Sequence, residues 1–407
     1  MLTPADPHAP NRLRRRELRR RQVRRRRLTA LAIVAAGAGG VVGGVVLASH
    51  RTPPPPEPAA ATQIRVPRVL VTASLRRLPE EIRGVHVTMA LANVPGKLGQ
   101  YLALKRDGLN TIELDVKDEN GEIGFVPSSV PLASRIGAAK PYYRPREVAR
   151  KVHAAGLYLI GRVVTFEDPI ASERHPQIAV RRSDGSIWRT SGGLGWLNPY
   201  NRGAWRYDVD IAAAAARAGF DEIQFDYVRF PSDGDLSVMR FPGPHSQPMD
   251  RTVAAFLRYA ARRLHPLGVR VSADVFGLSA TRDLGIGQHP RALGDLVDAI
   301  YPMTYPSHYN AGEFNLPDPN AEPGPTVTDS LRDFRRTLRG TRALLVPWLQ
   351  DFSLGRTYGP ADVAAQVRAA RAAQSGGFML WNAEGLYTGQ ALAAGRRPIP
   401  VVTAPNL

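Results

Sequence analysis

Residues 219–231 read Gly-Phe-Asp-Glu-Ile-Gln-Phe-Asp-Tyr-Val-Arg-Phe-Pro. An Ala-rich run ends at Gly219, which suits a helix stop because glycine adopts the left-handed backbone of a helix C-terminus without strain. Ile223, Phe225 and Tyr227 then alternate with Gln224 and Asp226, so the stretch predicts a strand with one apolar and one polar face. A parallel strand buried on both sides should be apolar on both. An acid near its carboxyl end therefore points to the mouth of a barrel, where loops after parallel strands build sites.

From Ile82 onward, short β-rich runs alternate with Ala-, Arg- and Leu-rich helical runs, the pattern of parallel βα units. Eight strands are predicted: Arg83–Thr88, Thr111–Lys117, Leu157–Val164, Glu222–Val228, Val269–Val275, Ala299–Thr304, Ala343–Leu349 and Gly377–Asn382. Helices are predicted between them, around 97–107, 146–155, 202–218, 251–264, 291–296, 327–338 and 360–373. Gly108, Gly156, Gly219 and Gly268 punctuate helix ends. Length alone allows one barrel or two smaller domains, but eight such units fit an α/β TIM (β/α)8 barrel over residues 80–395 better than an open sheet. No Gly-x-Gly-x-x-Gly follows the first strand, which removes the main support for a dinucleotide fold. The longest connections, 165–200 and 305–325, follow the third and sixth strands and are expected to wall a cleft. The first contains Asp184-Gly185, a hairpin signal.

The chain of 407 residues is 43% hydrophobic and has no cysteine, which excludes disulfides and thiolate sites. Its net charge is +18, yet residues 1–27 carry eleven Arg against Asp6 and Glu17, a local +9. Half of the excess is thus a property of the tail, and the +9 left over does not point to nucleic acid. After the tail, residues 28–48 form an uncharged apolar run long enough to span a bilayer. Arginine before the span predicts a cytoplasmic tail and a translocated domain. A cleavable signal peptide, with Ala48 and Ser49 near a processing site, is the alternative and also exports the domain. Residues 49–79 follow as a tether whose Pro53–Pro56 run favours a stiff extended spacer, and 396–407 form a short tail.

Taking alternate strand residues as inward places a polar set at the barrel mouth. It comprises His86; Glu113, Asp115 and Lys117; Arg162; Gln224 and Asp226 with Arg229 beyond; Ser272 and Asp274; Tyr305 and His308; Trp348, Gln350 and Asp351; and Trp381, Asn382 and Glu384. Paired acids flanked by indoles, amides and Arg suit sugar hydrolysis, in which one carboxyl protonates the leaving oxygen and another attacks or activates water. Asp226 and Asp274 are the catalytic candidates. His86, Asp115, Arg162, Glu167, Asp168, Gln224, Arg229, Tyr305, His308, Trp348, Gln350, Trp381 and Asn382 are candidates for substrate binding. Structural alternatives stand beside several of these. His86 also reads as a core histidine, Glu113 as a neutraliser of Lys117 or Arg162, and Glu167-Asp168 as a turn before Pro169. The histidines form no metal-ligand spacing, so no metal or cofactor is expected and a metal-dependent deacetylase is the least favoured class.

Gly-Val-His-Val-Thr (84–88), Thr-Ile-Glu-Leu-Asp-Val-Lys-Asp (111–118), Gly-Arg-Val-Val-Thr-Phe-Glu-Asp-Pro (161–169), Trp-Leu-Asn-Pro-Tyr-Asn (196–201) and Ser-Ala-Asp-Val-Phe-Gly (272–277) occur in order along the chain. Tyr-Pro-Met-Thr-Tyr-Pro-Ser-His-Tyr (301–309), Pro-Trp-Leu-Gln-Asp-Phe (347–352) and Met-Leu-Trp-Asn-Ala (379–383) continue the series. With the 219–231 stretch, these segments resemble a family of exported bacterial glycoside-hydrolase-like TIM barrels, and the resemblance covers about residues 80–390. It implies the fold, export and a polysaccharide substrate of the envelope or exterior; a carbohydrate-binding barrel without catalysis is the alternative. The fourth strand is also similar to the Phe-Asp-Gly-Ile-Asp-Ile-Asp-Trp-Glu motif of chitinase-like barrels. Asp221 and Asp226 match it, but Gln224 falls on the middle acid and Val228 on the catalytic Glu, which argues against substrate-assisted chitin hydrolysis. The paired Glu of many retaining barrels is absent too, with Asp226 and Gln350 in those places. Resemblance to barrels acting on α-linkages implies Asp226 as nucleophile, with Asp274 or a loop acid as proton donor.

Overall fold

Residues 75–393 are described by a computed structural model. The Arg-rich tail, the 28–48 run, most of the tether and the 396–407 tail lie outside them. No helix among the described residues is long and apolar enough to cross a membrane.

Eight parallel strand positions close into a barrel. They are β1 Ile82–Val87, β2 Thr111–Lys117, β3 Tyr158–Val164, β4 Glu222–Asp226, β5 Arg270–Phe276, β6 Ala299–Met303, β7 in two pieces, Leu344–Leu345 and Trp348–Gln350, and β8 Gly377–Trp381. β8 pairs with β1, Ile82 opposite Gly377, and completes the ring. The helices between strands are α1 Lys97–Ala103, α2 Pro145–Ala154, α3 Arg202–Ala218, α4 Met249–Leu264, α5 Pro290–Leu293, α6 Pro323–Thr337 and α7 Pro360–Ala372. α3 is capped by Asn201, whose side chain accepts from Gly203 N, and ends on Gly219 at φ +108°. That ending is the one the glycine predicts.

Two expectations about the strands change. β7 was expected as one run, but Pro347 has no N–H and interrupts the ladder, while its carbonyl still accepts from Met379 N at 2.9 Å. β2 loses its alternation near its end, because the β2–β3 register shifts between Asp115 and Lys117. Lys117 therefore leaves the inward row. Its ammonium lies 2.7 Å from Asp208 on α3, 2.9 Å from Asp168 and 3.0 Å from the Thr165 carbonyl.

The strands separate two apolar layers. Outside, Phe225 meets Phe256 of α4 with ring centroids 5.2 Å apart, and burying such a ring contributes about 1.5–3 kcal/mol. Inside, Ile82, Ile160, Tyr301, Val346, Trp348 and Met379 fill the barrel. Gly84 faces that filling and must lack a side chain, since a Cβ there would strike Met379. Leu78 packs on the same cluster, and Arg270 Nη1 donates to the Arg76 carbonyl at 2.7 Å. Residues 75–79, read from sequence as the end of the tether, thus already stopper the amino-terminal end.

The 165–200 connection folds together with part of the loop after β4 into a small lobe. Gly185, at φ +83°, turns the chain where the Asp-Gly pair predicts, and Arg181–Arg182 pair antiparallel with Met239–Arg240. Trp188 and Trp196 are fully buried within it, which sets Trp196 against the barrel mouth.

Candidate active site

Arg162 stands at the centre of the mouth. Its Nε and Nη2 donate to Asp226 Oδ2 at 3.0 and 2.7 Å, its Nη1 donates to Asp115 Oδ1 at 2.8 Å, and Glu119 lies 3.5 Å from Nη1. β2, β3 and β4 are neighbours in register, Asp115 opposite Arg162 and Arg162 opposite Gln224, so the contacts follow from strand order. Burial alone would lower the guanidinium's pKa, but Asp226, Asp115 and Glu119 outweigh it and hold it well above the ordinary value. The free oxygen of Asp226, Oδ1, accepts from Tyr227 N at 2.7 Å. Tyr227 sits at φ +50°, a left-handed backbone costly for a bulky residue and concentrated at functional sites.

His86 packs behind this centre. Its Nδ1 is hydrogen-bonded to Glu113, and its Nε2 lies 3.6 Å from Asp115. Burial opposes protonation, yet Asp115 and Glu113 raise the imidazole's pKa, while burial raises that of Glu113 against the pull of His86. Glu113 is thus the partner of His86, not of Lys117. Asp274 on β5 accepts from Gln224 Nε2 at 2.5 Å and from Trp348 Nε1 at 2.7 Å, both at Oδ1. Burial, with the charges of Asp226 and Glu113, pushes its carboxyl well above the usual range.

Glu167 follows the end of β3 and differs from the other acids. It is 6% exposed and makes no hydrogen bond or ion pair among the described residues. Burial pushes its pKa up to about 8, against the pull of Arg229 and with help from Glu119, Asp233 and Asp226. Arg229 is 7% exposed, with its guanidinium carbon 4.9, 5.1 and 4.8 Å from the rings of Trp196, Tyr227 and Phe276. Tyr305, Phe352 and Trp381 form the remaining wall, with ring centroids 5.2–5.9 Å apart. His308 is exposed at its edge, 5.3 Å from Tyr305. Trp381 also stacks on His86 at 6.5 Å and 26°.

Several sequence candidates are engaged elsewhere. Asp168 caps the helix Pro169–Arg174, accepting from Ala171 N at 2.7 Å, and pairs with Lys117 beneath the mouth. Gln350 is fully buried, accepting from Ser307 N and donating to the Phe352 carbonyl. Asn382 closes a turn, donating to the Asp351 carbonyl and accepting from Glu384 N. These contacts engage all three side chains within the fold. Glu119, Trp196, Tyr227, Phe276 and Phe352 were not singled out from sequence; the first opens the turn after β2, and Trp196 comes from the long lobe.

Among the described residues no group of His, Asp and Glu is arranged to hold a metal ion. Two concavities lie away from the mouth. One, at the amino-terminal rim, includes Asn110 and Tyr158; the other, of about 1380 Å³, runs between α1 and α2. Neither brings buried acids together, so the chemistry of the side chains and not concavity locates the site.

The family model described as "Putative glycosyl hydrolase domain" matches residues 84–387. A hypothetical protein from Ruminiclostridium thermocellum is 36% identical, over 47% of this chain and 97% of its own, with a TM-score of 0.43. The glycoside hydrolase domain of PgaB (BpsB) from Bordetella bronchiseptica is 14% identical, over 75% of this chain and 95% of its own, with a TM-score of 0.56. The catalytic domain of β-amylase from Paenibacillus polymyxa is 12% identical, over 78% and 96%, with a TM-score of 0.50. No curated protein matches the chain.

Proposed function

Because the chain belongs to the glycosyl hydrolase family whose model spans residues 84–387, we propose that its barrel hydrolyses a polysaccharide of the cell envelope or exterior, with Asp226 as nucleophile and Glu167 as proton donor. The observation that carries this is the contrast between two acids at one mouth. Asp226 is oriented by Arg162 on one oxygen and the Tyr227 N–H on the other, whereas Glu167 is unpartnered and holds its proton to about pH 8. A proton-holding acid beside an acid clasped by an arginine suits the two roles of glycoside cleavage, proton donor and nucleophile. Asp226 attacks the anomeric carbon as Glu167 passes its proton to the leaving oxygen; Glu167, now a carboxylate, then takes a proton from the water that releases the sugar. Asp274 is buried beneath, where burial and the charge of Asp226 disfavour its ionised form. Trp381, Tyr305 and Phe352 offer faces on which pyranose rings can pack. The apolar run 28–48 tethers the domain to the membrane in this reading, with the barrel outside the cytoplasm.

A non-catalytic glycan-binding barrel is the second reading, favoured by the two Arg162 nitrogens that occupy Asp226 Oδ2. Reducing-end release from a panel of glycans separates the two. Hydrolysis abolished by Asp226→Asn with glycan retention intact supports the enzyme. Retention that is weakened by Trp381→Ala, with no glycan cleaved by the wild type, supports the binding module.

A further inference from the structure

The two guanidiniums at the mouth present the same chemistry in opposite states. Arg162 uses the edge formed by Nε and Nη2 to grip a carboxylate, Asp226. That edge carries two parallel N–H groups and matches a carboxylate in its plane. In Arg229 only Nη1 is engaged, donating to the Phe230 carbonyl at 3.0 Å and to Ser232 Oγ at 3.2 Å. Its Nε and Nη2 have no hydrogen-bond partner among the described residues, and no carboxylate there lies within 4.0 Å of it. Three aromatic faces surround the cation, yet such contacts return less than a buried charge loses on leaving water. Glu167, Asp226 and Asp233 favour the cation from a distance but do not outweigh its burial, Asp226 is already held by Arg162, and Asp233 is exposed to solvent.

We propose that the Nε–Nη2 edge of Arg229 is a subsite for a carboxylate on the glycan, so that the substrate is an acidic, uronate-bearing polysaccharide and not a neutral one. The inference rests on the glycosidase reading and narrows its substrate. A carboxylate in this place completes the cation's pairing, lies beside the proton donor and keeps Glu167 protonated by its own negative charge. The aromatic cage excludes water from the pair, which strengthens it.

The test uses the full-length chain and three sets of oligosaccharides: uronates (galacturonate, mannuronate and glucuronate types), their carboxyl-reduced neutral counterparts, and sulfate esters of neutral sugars. The expected result is binding and cleavage of a uronate with a preference of about 10- to 100-fold over its reduced form. The preference should persist in about 0.5 M salt, which removes adsorption to the basic surface but screens a buried pair much less. Arg229→Gln should abolish the preference, Arg229→Lys should restore part of it, and the Tm of Arg229→Gln should equal or exceed that of wild type, because an unanswered buried charge has gone. Equal use of neutral and acidic sugars, unchanged in Arg229→Gln, overturns the subsite while leaving the glycosidase intact. Preference for sulfate esters over uronates overturns the carboxylate assignment. Failure to bind any acidic glycan overturns the proposal, and absence of cleavage on every set overturns the glycosidase reading as well.

Discussion

The barrel buries acids at both of its ends, and the ends treat them differently. At the amino-terminal end of β4, Glu222 accepts from Ser272 Oγ at 2.5 Å and from Tyr158 Oη at 3.1 Å, while the neighbouring Asp221 accepts from Leu159 N at 2.8 Å and pairs with His153. At the carboxyl end, four residues along the same strand, Asp226 shares its mouth with a carboxyl and a guanidinium edge that no group among the described residues completes. Burial is similar at the two ends. What separates a packed polar network from a site is whether its hydrogen bonds close, since buried polar groups are normally paired and exceptions need a reason.

The sharpest way to break this comparison is Asp226→Asn. It should lower kcat by about 10⁴-fold or more, the scale on which a group of the central catalytic unit acts, with the circular dichroism spectrum unchanged; ordinary turnover would make the two ends equivalent. Glu167→Gln comes next, with an expected loss of about 10²- to 10⁴-fold. For wild type, kcat/KM should hold at neutral pH and fall as pH rises through about 8, because burial keeps Glu167 protonated below that value and only the protonated form donates. The alkaline limb should vanish in Glu167→Gln, and its survival there would assign the limb to another group.

Lys117→Met sharpens the comparison from the other side. Lys117 lies near the mouth in sequence but its contacts are closed by Asp168, Asp208 and the Thr165 carbonyl, so its loss should destabilise the fold by about 3–5 kcal/mol in chemical denaturation. A smaller cost would mean that this network is as open as the site. The smallest effect is expected for Glu222→Gln, about 1–3 kcal/mol of stability with kcat/KM per folded molecule unchanged. A catalytic defect there would blur the distinction between the ends.

Much of the frame was legible before the structure. Runs of β-branched residues bounded by glycines located the eight strands to within a residue or two, because propensity, period and helix stops agree there. The Asp226, Arg162, Asp115 and His86 contacts follow from inward alternation on adjacent strands. The bulge after Asp115 was not legible, since a one-residue register shift leaves the local pattern unchanged while turning Lys117 towards α3. The same holds for Trp196, brought to Arg229 by a lobe whose path depends on tertiary packing. Glu167 was visible as an acid beside Asp168 and Pro169, but only burial distinguishes its open carboxyl from the capping carboxyl next to it.

The interruption of β7 at Pro347 also sets where the barrel yields. Leu344 and Leu345 are laddered to β6, whereas Trp348, Leu349 and Gln350 are laddered to β8, with Trp348 alone paired back to Met303 of β6. The ring is therefore stitched most thinly between β6 and β8, and its slow breathing should begin there, with amides around 346–350 exchanging with deuterated solvent ahead of those in β2 to β5. Trp348, the residue that steadies Asp274, stands on that seam. A glycan spanning the mouth from Trp381 to Arg229 would act as a clasp across it, and its arrival should be readable as slowed exchange in β7 before any bond is cut.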